Sequence, residues 1–311
     1  MATYTQPSRN SIAVEALKLN GHPAGGTAGE IALVESAIEE AKMDIWNIQN
    51  HYKGKLKPLL VTAYGVATEN VSRYAKPADC DALYSVSILD SDETGNATAV
   101  SASQVTCGSV TPGRMLLLTS GTGLGNCSQI SSYTGGIAYL TPNFSGSSFD
   151  GTEGYMAIET SEELISKPPK WLDDIDDPYE KDQPTHYFEQ GQGKADTDET
   201  GEFELYPTPD ALYGLKIRYY MNIMLMDLST DAALVGGIYR MFKPIFMKKA
   251  QITVQMINRK YDSIPTLEKQ YWSMVDLFVK ANIDEIAIPT PKDTRLYSGN
   301  YTYDITTNDI T

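Results

Sequence analysis

The sequence predicts an α+β fold: a helical bundle around a β-hairpin, with an inserted small β-sandwich or barrel domain and extended termini. Three observations predict it. Ile31, Val34, Ile38, Ala41, Ile45 and Ile48 follow a 3-4-3-4-3 spacing, which lays one apolar stripe along a helix. In residues 202–221, EFELYPTPDALYGLKIRYYM, two runs alternate apolar and polar residues with the period of half-buried strands. From Lys53 to Ile165 helical periodicity stops, and short apolar runs alternate with Gly-, Ser- and Thr-rich turns.

Residues 1–27 are polar and end in Pro-Ala-Gly-Gly-Thr, so they read as a flexible arm with a short helical piece at 12–19. A helix is predicted over 29–50. Thr27 is its N-cap, and Glu30, three residues on, completes a capping box. Strand-like runs follow at 59–64, 82–89, 115–119, 136–140 and 155–158. Turn signals at Pro112-Gly113, 121–125, Gly135-Gly136 and 143–151 separate them. These strands define an inserted β-module at 80–161, flanked by a helical core at 28–79 and 162–288. The connector at 162–200 carries the acidic run 173–177, which Trp171 can anchor by packing, and a strand at 185–189 beside the hairpin.

In the hairpin, Phe203 and Leu205 share one face, and Leu215, Ile217, Tyr219 and Met221 share another. Pro207, Pro209 and Asp210 form the tip. All of Phe203, Leu205, Leu215 and Ile217 are expected to face one core. A helix capped by Ser229 or Asp231 carries Leu234, Ile238, Met241 and Ile245. Pro244 costs about 3 kcal/mol inside a helix, so a break or kink is expected there, with Pro244 near the first turn of a second segment to about Asn258. The last helix begins near Pro265. It shows one stripe of Leu267, Tyr271, Met274, Phe278 and Ala281, and another of Trp272, Val275 and Val279. A helix apolar on two sides is buried on two sides, so one side is a candidate for subunit contact. Residues 289–311 read as an extended arm.

Composition narrows the function. With 40 acidic and 25 basic residues the formal charge is −15, which argues against a protein that grasps nucleic acid. An acidic wall past which DNA slides stays compatible with it. The 20 tyrosines suit either interfaces or a β-rich core. Nothing at the N-terminus has the pattern of a signal peptide, and no run spans a bilayer, so a soluble cytoplasmic product is expected.

No catalytic constellation emerges. The loop Ser120-Gly121-Thr122-Gly123-Leu124-Gly125 lacks the Gly-Lys-Ser/Thr that opens the helix of a phosphate loop and reads as a tight turn. The run 173–177 lacks the glycine and terminal glutamate of an EF-hand. His22, His51 and His186 have no convergent partners in the sequence. Glu39-Glu40 and Glu162-Glu163, placed on helices, point apart. Cys80, Cys107 and Cys127 show no zinc spacing, although Cys107 and Cys127 could pair from neighbouring strands.

Two stretches carry a resemblance. Leu205, Pro207, Pro209, Asp210, Tyr213, Leu215, Tyr219 and Tyr220 are similar to a pattern of phage head–tail adaptor (connector) proteins, of the neck type found in podoviruses. In that family a strand ending in Leu-x-Pro-x-Pro precedes a strand ending in Tyr-Tyr. Residues 120–125, Ile130, Tyr133, Tyr155 and Ile158 resemble a β-module common in phage structural proteins, with Gln129 where that module usually has Arg.

The resemblance implies a non-enzymatic virion protein without cofactor or metal. It implies a ring, typically of twelve copies, docked beneath the portal of a short-tailed phage. Such a ring connects the portal to the tail or nozzle and helps retain packaged DNA, which passes without sequence-specific binding. Its own copies and tail fibres are further expected partners. Tyr297, Tyr301 and Tyr303 of the arm, with Trp272, Val275 and Val279, are the candidate contacts to the portal or a neighbouring subunit. The alternative is a carbohydrate-binding or fibre-attachment protein acting through the β-module, and a virion-borne hydrolase ranks third.

Overall fold

A computed structural model describes residues 8–144, 149–151, 153–174, 180–190, 201–225 and 238–284. Two helices open the chain, α1 (Arg9–Leu19) and α2 (Ala28–His51). Four strands follow: β1 (Lys55–Leu56), β2 (Leu60–Ala67), β3 (Arg73–Ala75) and β4 (Cys80–Asp90). The next seven are β5 (Thr94–Asn96), β6 (Ala99–Val100), β7 (Gln104–Thr106), β8 (Met115–Leu118), β9 (Cys127–Thr134), β10 (Ile137–Thr141) and β11 (Gly154–Ile158). Then come β12 (Thr160–Glu163), β13 (Ile165–Ser166), β14 (His186–Gln190), β15 (Glu202–Tyr206) and β16 (Tyr213–Met221). The described chain closes with α3 (Ile238–Ile257), α4 (Ile264–Asn282) and β17 (Ile283–Asp284), which pairs with β1.

The expected helical bundle around a hairpin is not what forms. The centre is a sandwich of two four-stranded sheets, β12-β4-β16-β2 and β13-β14-β15-β3. The two runs of 202–221 are not a hairpin: β15 lies between β14 and β3, while β16 lies between β4 and β2. The connection after Tyr206 is held by the 180–182 segment instead of turning back. Thr208 N donates to Glu180 O at 2.9 Å, and Asp182 N donates to Thr208 O at 3.1 Å. Each strand therefore has both edges occupied by other partners. The expectation for the side chains holds nonetheless. Phe203, Leu205, Leu215 and Ile217 share one buried core, now the space between the sheets, with Val86, Ile88, Tyr187 and Tyr219. The strand expected at 185–189 is β14, and it does lie beside β15.

The inserted β-structure is a single seven-stranded sheet, β5-β11-β8-β9-β10-β7-β6, so of the sandwich or barrel expected there the two-sheet sandwich does not form. Its core comes from Val105, Leu116, Leu118, Ile130, Ala138, Leu140, Tyr155 and Ala157. β4, whose residues 82–89 were grouped with the insert, pairs with β16 and β12 in the sandwich. Among the described residues the insert therefore departs after Asp90 and returns at Thr160.

The helices pack on one another around a core of their own, which meets the sandwich core at Met221. The capping box of α2 is present: Thr27 N donates to Glu30 Oε2 at 2.6 Å, and Glu30 N to Thr27 Oγ1 at 3.3 Å. Val34, Ile38, Ala41 and Ile45 are buried along its stripe. Residues 9–22, expected as part of a flexible arm, are a docked helix and its exit. Ile12, Ala13, Ala16 and Leu17 line one face and are fully buried. Asn20 and His22 then bond Gln255 and Asn258 at the end of α3.

Of the break or kink expected at Pro244, the break does not occur; the proline lies inside α3. Burial of Phe242, Ile245, Phe246 and Ala250 around it offsets the missing N–H. In α4 the two predicted stripes merge. Tyr271, Val275 and Val279 form one buried line at four-residue spacing, with Leu267 and Phe278 partly buried beside it.

Candidate interaction surfaces

The six residues proposed as partner contacts divide three ways. Val275 and Val279 are enclosed in the helical core of their own chain, so they offer a partner no surface. Trp272 is on the surface, 46% exposed, with its ring edge-on to Tyr271 at 5.2 Å. Tyr297, Tyr301 and Tyr303 lie outside the described residues.

Around Trp272, α4 is pinned by polar contacts. The hydroxyl of Tyr271 donates to Asp44 Oδ2 at 2.7 Å, and Lys249 pairs with the same oxygen at 2.9 Å. Burial first, and the Asp44 carboxylate second, push the Tyr271 phenol well above its ordinary range. Tyr52 donates to Asp276 at 2.5 Å, and Asp276 also pairs with Lys280 at 2.8 Å. These ties leave Trp272 and Leu277, 63% exposed, as apolar groups on a firmly held helix. At the α3–α4 turn an open groove of about 590 Å³ is lined by Gln255, Arg259, Lys260, Tyr261, Asp262, Ser263 and Leu267. Its wide mouth and mixed lining suit surface contact better than enclosure of a small substrate.

The glycine-rich loop is a turn that seats the insert on the sandwich. Gly125 N donates to Leu118 O at 3.0 Å, and Asn126 N to Gly123 O at 3.0 Å. Gly125 has φ +83°, and a Cβ there would lie 2.7 Å from the Tyr64 carbonyl oxygen of β2. Across the same contact a Cβ on Gly214 would meet Leu117 and Leu89, each at 2.9 Å. The bare backbone thus serves close packing between the insert and the sheet.

The linkers at the base of the insert are held by Arg114, to which the sequence pattern gives no role. Its guanidinium reaches Asp92 at 3.3 Å, Glu93 at 3.2 Å and Glu159 at 3.2 Å, so it spans the outgoing and returning chains. An arginine among separated acids carries no local sequence pattern that would have marked it.

The remaining candidates scatter. His22 bonds Asn258 at 2.9 Å, His51 stands edge-on to Tyr52, and His186 stacks on Trp171 at 4.6 Å. Burial, followed by nearby Lys167, pushes the His186 pKa down. Trp171 also packs on Phe188 and Tyr206, which is the anchoring role expected of it; residues 175–177 of the acidic run lie outside the described residues. Glu39 pairs with Arg9 and Lys42, and Glu40 with Lys249. Glu162 and Glu163 sit on strand β12 rather than on a helix.

All three cysteines are free. Cys107 follows β7, Cys127 opens β9, and β10 lies between those strands, so the two do not face each other across neighbours. Burial pushes the Cys127 thiol up to about 12, against the opposing pull of Lys216, which disfavours a thiolate nucleophile.

Among the described residues there is no group of three or more His, Cys, Asp or Glu side chains placed to hold a metal. No described helix is long and apolar enough to cross a membrane. No protein-family model matches the chain, and a comparison with curated proteins finds no match.

Proposed function

We propose that this chain is a structural virion protein, a head-to-tail adaptor whose copies form a ring beneath the portal and connect it to the tail or nozzle. The observation that carries the reading is the likeness of residues 205–220 to such adaptors, a stretch whose apolar residues lie in the sandwich core. Leu205, Tyr213, Leu215 and Tyr219 fill the sandwich, and Met221, at the end of the same stretch, packs on both the sandwich core and the helical core. Met221 thus links the two cores, which supports a role in transmitting load through an assembly. The core of this adaptor is then a sandwich joined to a separate helical core.

Other features support the reading. The surface of α4 presents Trp272 and Leu277 on a pinned helix, a rigid apolar contact for a neighbouring copy or the portal. The formal charge of −15 suits a channel wall that DNA passes without sticking. Residues 289–311 carry three tyrosines, whose large rings suit contact with a partner.

The test is to mix the purified protein with portal rings of a short-tailed phage and count subunits by native mass spectrometry. The full chain is expected to add a ring to the portal. Trp272→Ala is expected to keep the monomer folded and weaken assembly. Truncation before Pro289 is expected to reduce portal binding. A full chain that stays monomeric and ignores the portal would overturn the proposal.

A further inference from the structure

Glu153 is a buried acid that the fold leaves half answered. It stands just before β11, its side chain has no solvent exposure, and its Oε1 accepts from Asp150 N at 2.8 Å. Oε2 is buried and has no hydrogen-bond partner. No basic side chain among the described residues pairs with Glu153. A carboxylate held this way is strongly unfavourable unless something neutralises it.

A cation would balance the charge and give the bare oxygen a partner.

The surroundings supply hard oxygen donors. The Asp150 carboxylate comes up to the same loop backbone as Glu153. A Cβ on Gly121 would lie 2.8 Å from Glu153 Cγ and 3.0 and 3.2 Å from the two Asp150 oxygens. Gly121 has φ +77°, so this position both requires glycine and lets the two acids converge on the turn. Thr122 N donates to Asp150 Oδ2 at 3.4 Å. Ser120 Oγ accepts from Gly154 N at 2.7 Å, which brings a hydroxyl to the start of β11.

We propose that Glu153 and Asp150, with the Ser120 hydroxyl, form a calcium-binding site that ties the 120–125 turn to the start of β11. Two carboxylates balance the charge of the ion. Calcium takes six to eight oxygens in flexible geometry, so backbone carbonyls and water complete a shell that loops present irregularly; magnesium demands a stricter octahedron. The site stands at the root of the same turn whose Gly125 packs on Tyr64, so the bound ion stiffens the seating of the insert on the sandwich. It is separate from the acidic run at 173–177 and follows no EF-hand spacing.

The full-length protein, stripped with EDTA, tests this by thermal unfolding and by terbium luminescence. Calcium at about tenfold above its Kd is expected to raise Tm by about 3 °C. Terbium is expected to show tyrosine-sensitised emission that calcium displaces. Glu153→Gln is expected to abolish both signals. Asp150→Asn, at an exposed position that spares the fold, is expected to weaken both, so the proposal stays testable if Glu153→Gln folds poorly. No calcium shift in the wild type, or a shift kept in full by Asp150→Asn, overturns the site; an equal shift with magnesium overturns the assignment to calcium.

Discussion

The central sandwich and the inserted sheet are both largely antiparallel, yet they gather their strands at different ranges of sequence. The insert takes all seven strands from one continuous run, β5 to β11. Its β9–β10 pair turns at Gly135-Gly136, with φ +63° and +83°, and Thr134 faces Ile137. That is the geometry a two-residue hairpin turn needs, written in two adjacent glycines. The sandwich draws strands from Leu60 to Met221, and its central strand β16 pairs with β2 and β4, both far upstream. Local pairing leaves turn signals in the sequence, whereas distant pairing leaves only the alternation of side chains.

The largest test of this contrast is Phe203→Ala. Phe203 is fully enclosed between the sheets and packs on Tyr74 with ring centroids 5.8 Å apart. Its truncation is expected to cost about 3–5 kcal/mol. Measured by urea unfolding with hydrogen exchange, the loss is expected to reach β2, β4 and β16 as well as β15. The distant strands share one core, and that core depends on this ring. Loss of protection confined to β3, β14 and β15 would show that the two sheets are separate units.

The same contrast explains what could be read in advance. The helix α2 was legible down to its capping box, because period and cap are local. The shared facing of Phe203, Leu205, Leu215 and Ile217 was legible because alternation dictates facing whatever the pairing. Their strand partners were not legible: residues 207–212 fit a proline-stiffened tip as well as a crossover between sheets. The burial of α1 was hidden by its polar flanks, since a short stripe of Ile12, Ala13, Ala16 and Leu17 needs α2 and α3 to cover it. The α4 pattern admitted two apolar faces. The neighbouring helices selected Tyr271, Val275 and Val279 and left Trp272 outside. Glu153 looked like any surface acid, and its burial depends on how the insert curls.

A smaller effect is expected where the two regions meet. Gly125→Ala forces an L-residue into φ +83° and drives its Cβ to 2.7 Å from the Tyr64 carbonyl. The backbone conformation costs about 1–2 kcal/mol, and the clash with a backbone atom adds to it. If the insert rests on the sandwich through this turn, exchange protection is expected to fall in β2 and in the 120–125 turn while the β9–β10 hairpin keeps its own. Loss of protection in that hairpin would mean that the insert depends on the sandwich for its folding.

The smallest effect at neutral pH separates the two regions by their tyrosines. In the sandwich, Tyr219 donates to Asp79 at 2.7 Å; in the insert, Tyr155 accepts from Gly108 N at 3.0 Å. Burial raises both phenols above their ordinary pKa. Asp79 adds to the rise at Tyr219; at Tyr155 the nearby Cys107 adds to it and the Gly108 N–H opposes it. A phenol whose folded pKa exceeds its unfolded value of about 10 contributes stability that is fully present below that value and is lost as pH rises toward the folded pKa. Stability is therefore expected to be level through neutral pH and to fall above about pH 10. Tyr219→Phe is expected to cost about 1 kcal/mol at pH 7, the net worth of one hydrogen bond, and to flatten the alkaline fall. Tyr155→Phe is expected to flatten it less, because the Gly108 N–H offsets part of the rise at Tyr155 while the hydrogen-bonded Asp79 adds to the rise at Tyr219. Equal flattening by both variants, read from urea midpoints between pH 8 and 11, would mean that burial alone sets the two phenols and that their partners do not distinguish the regions.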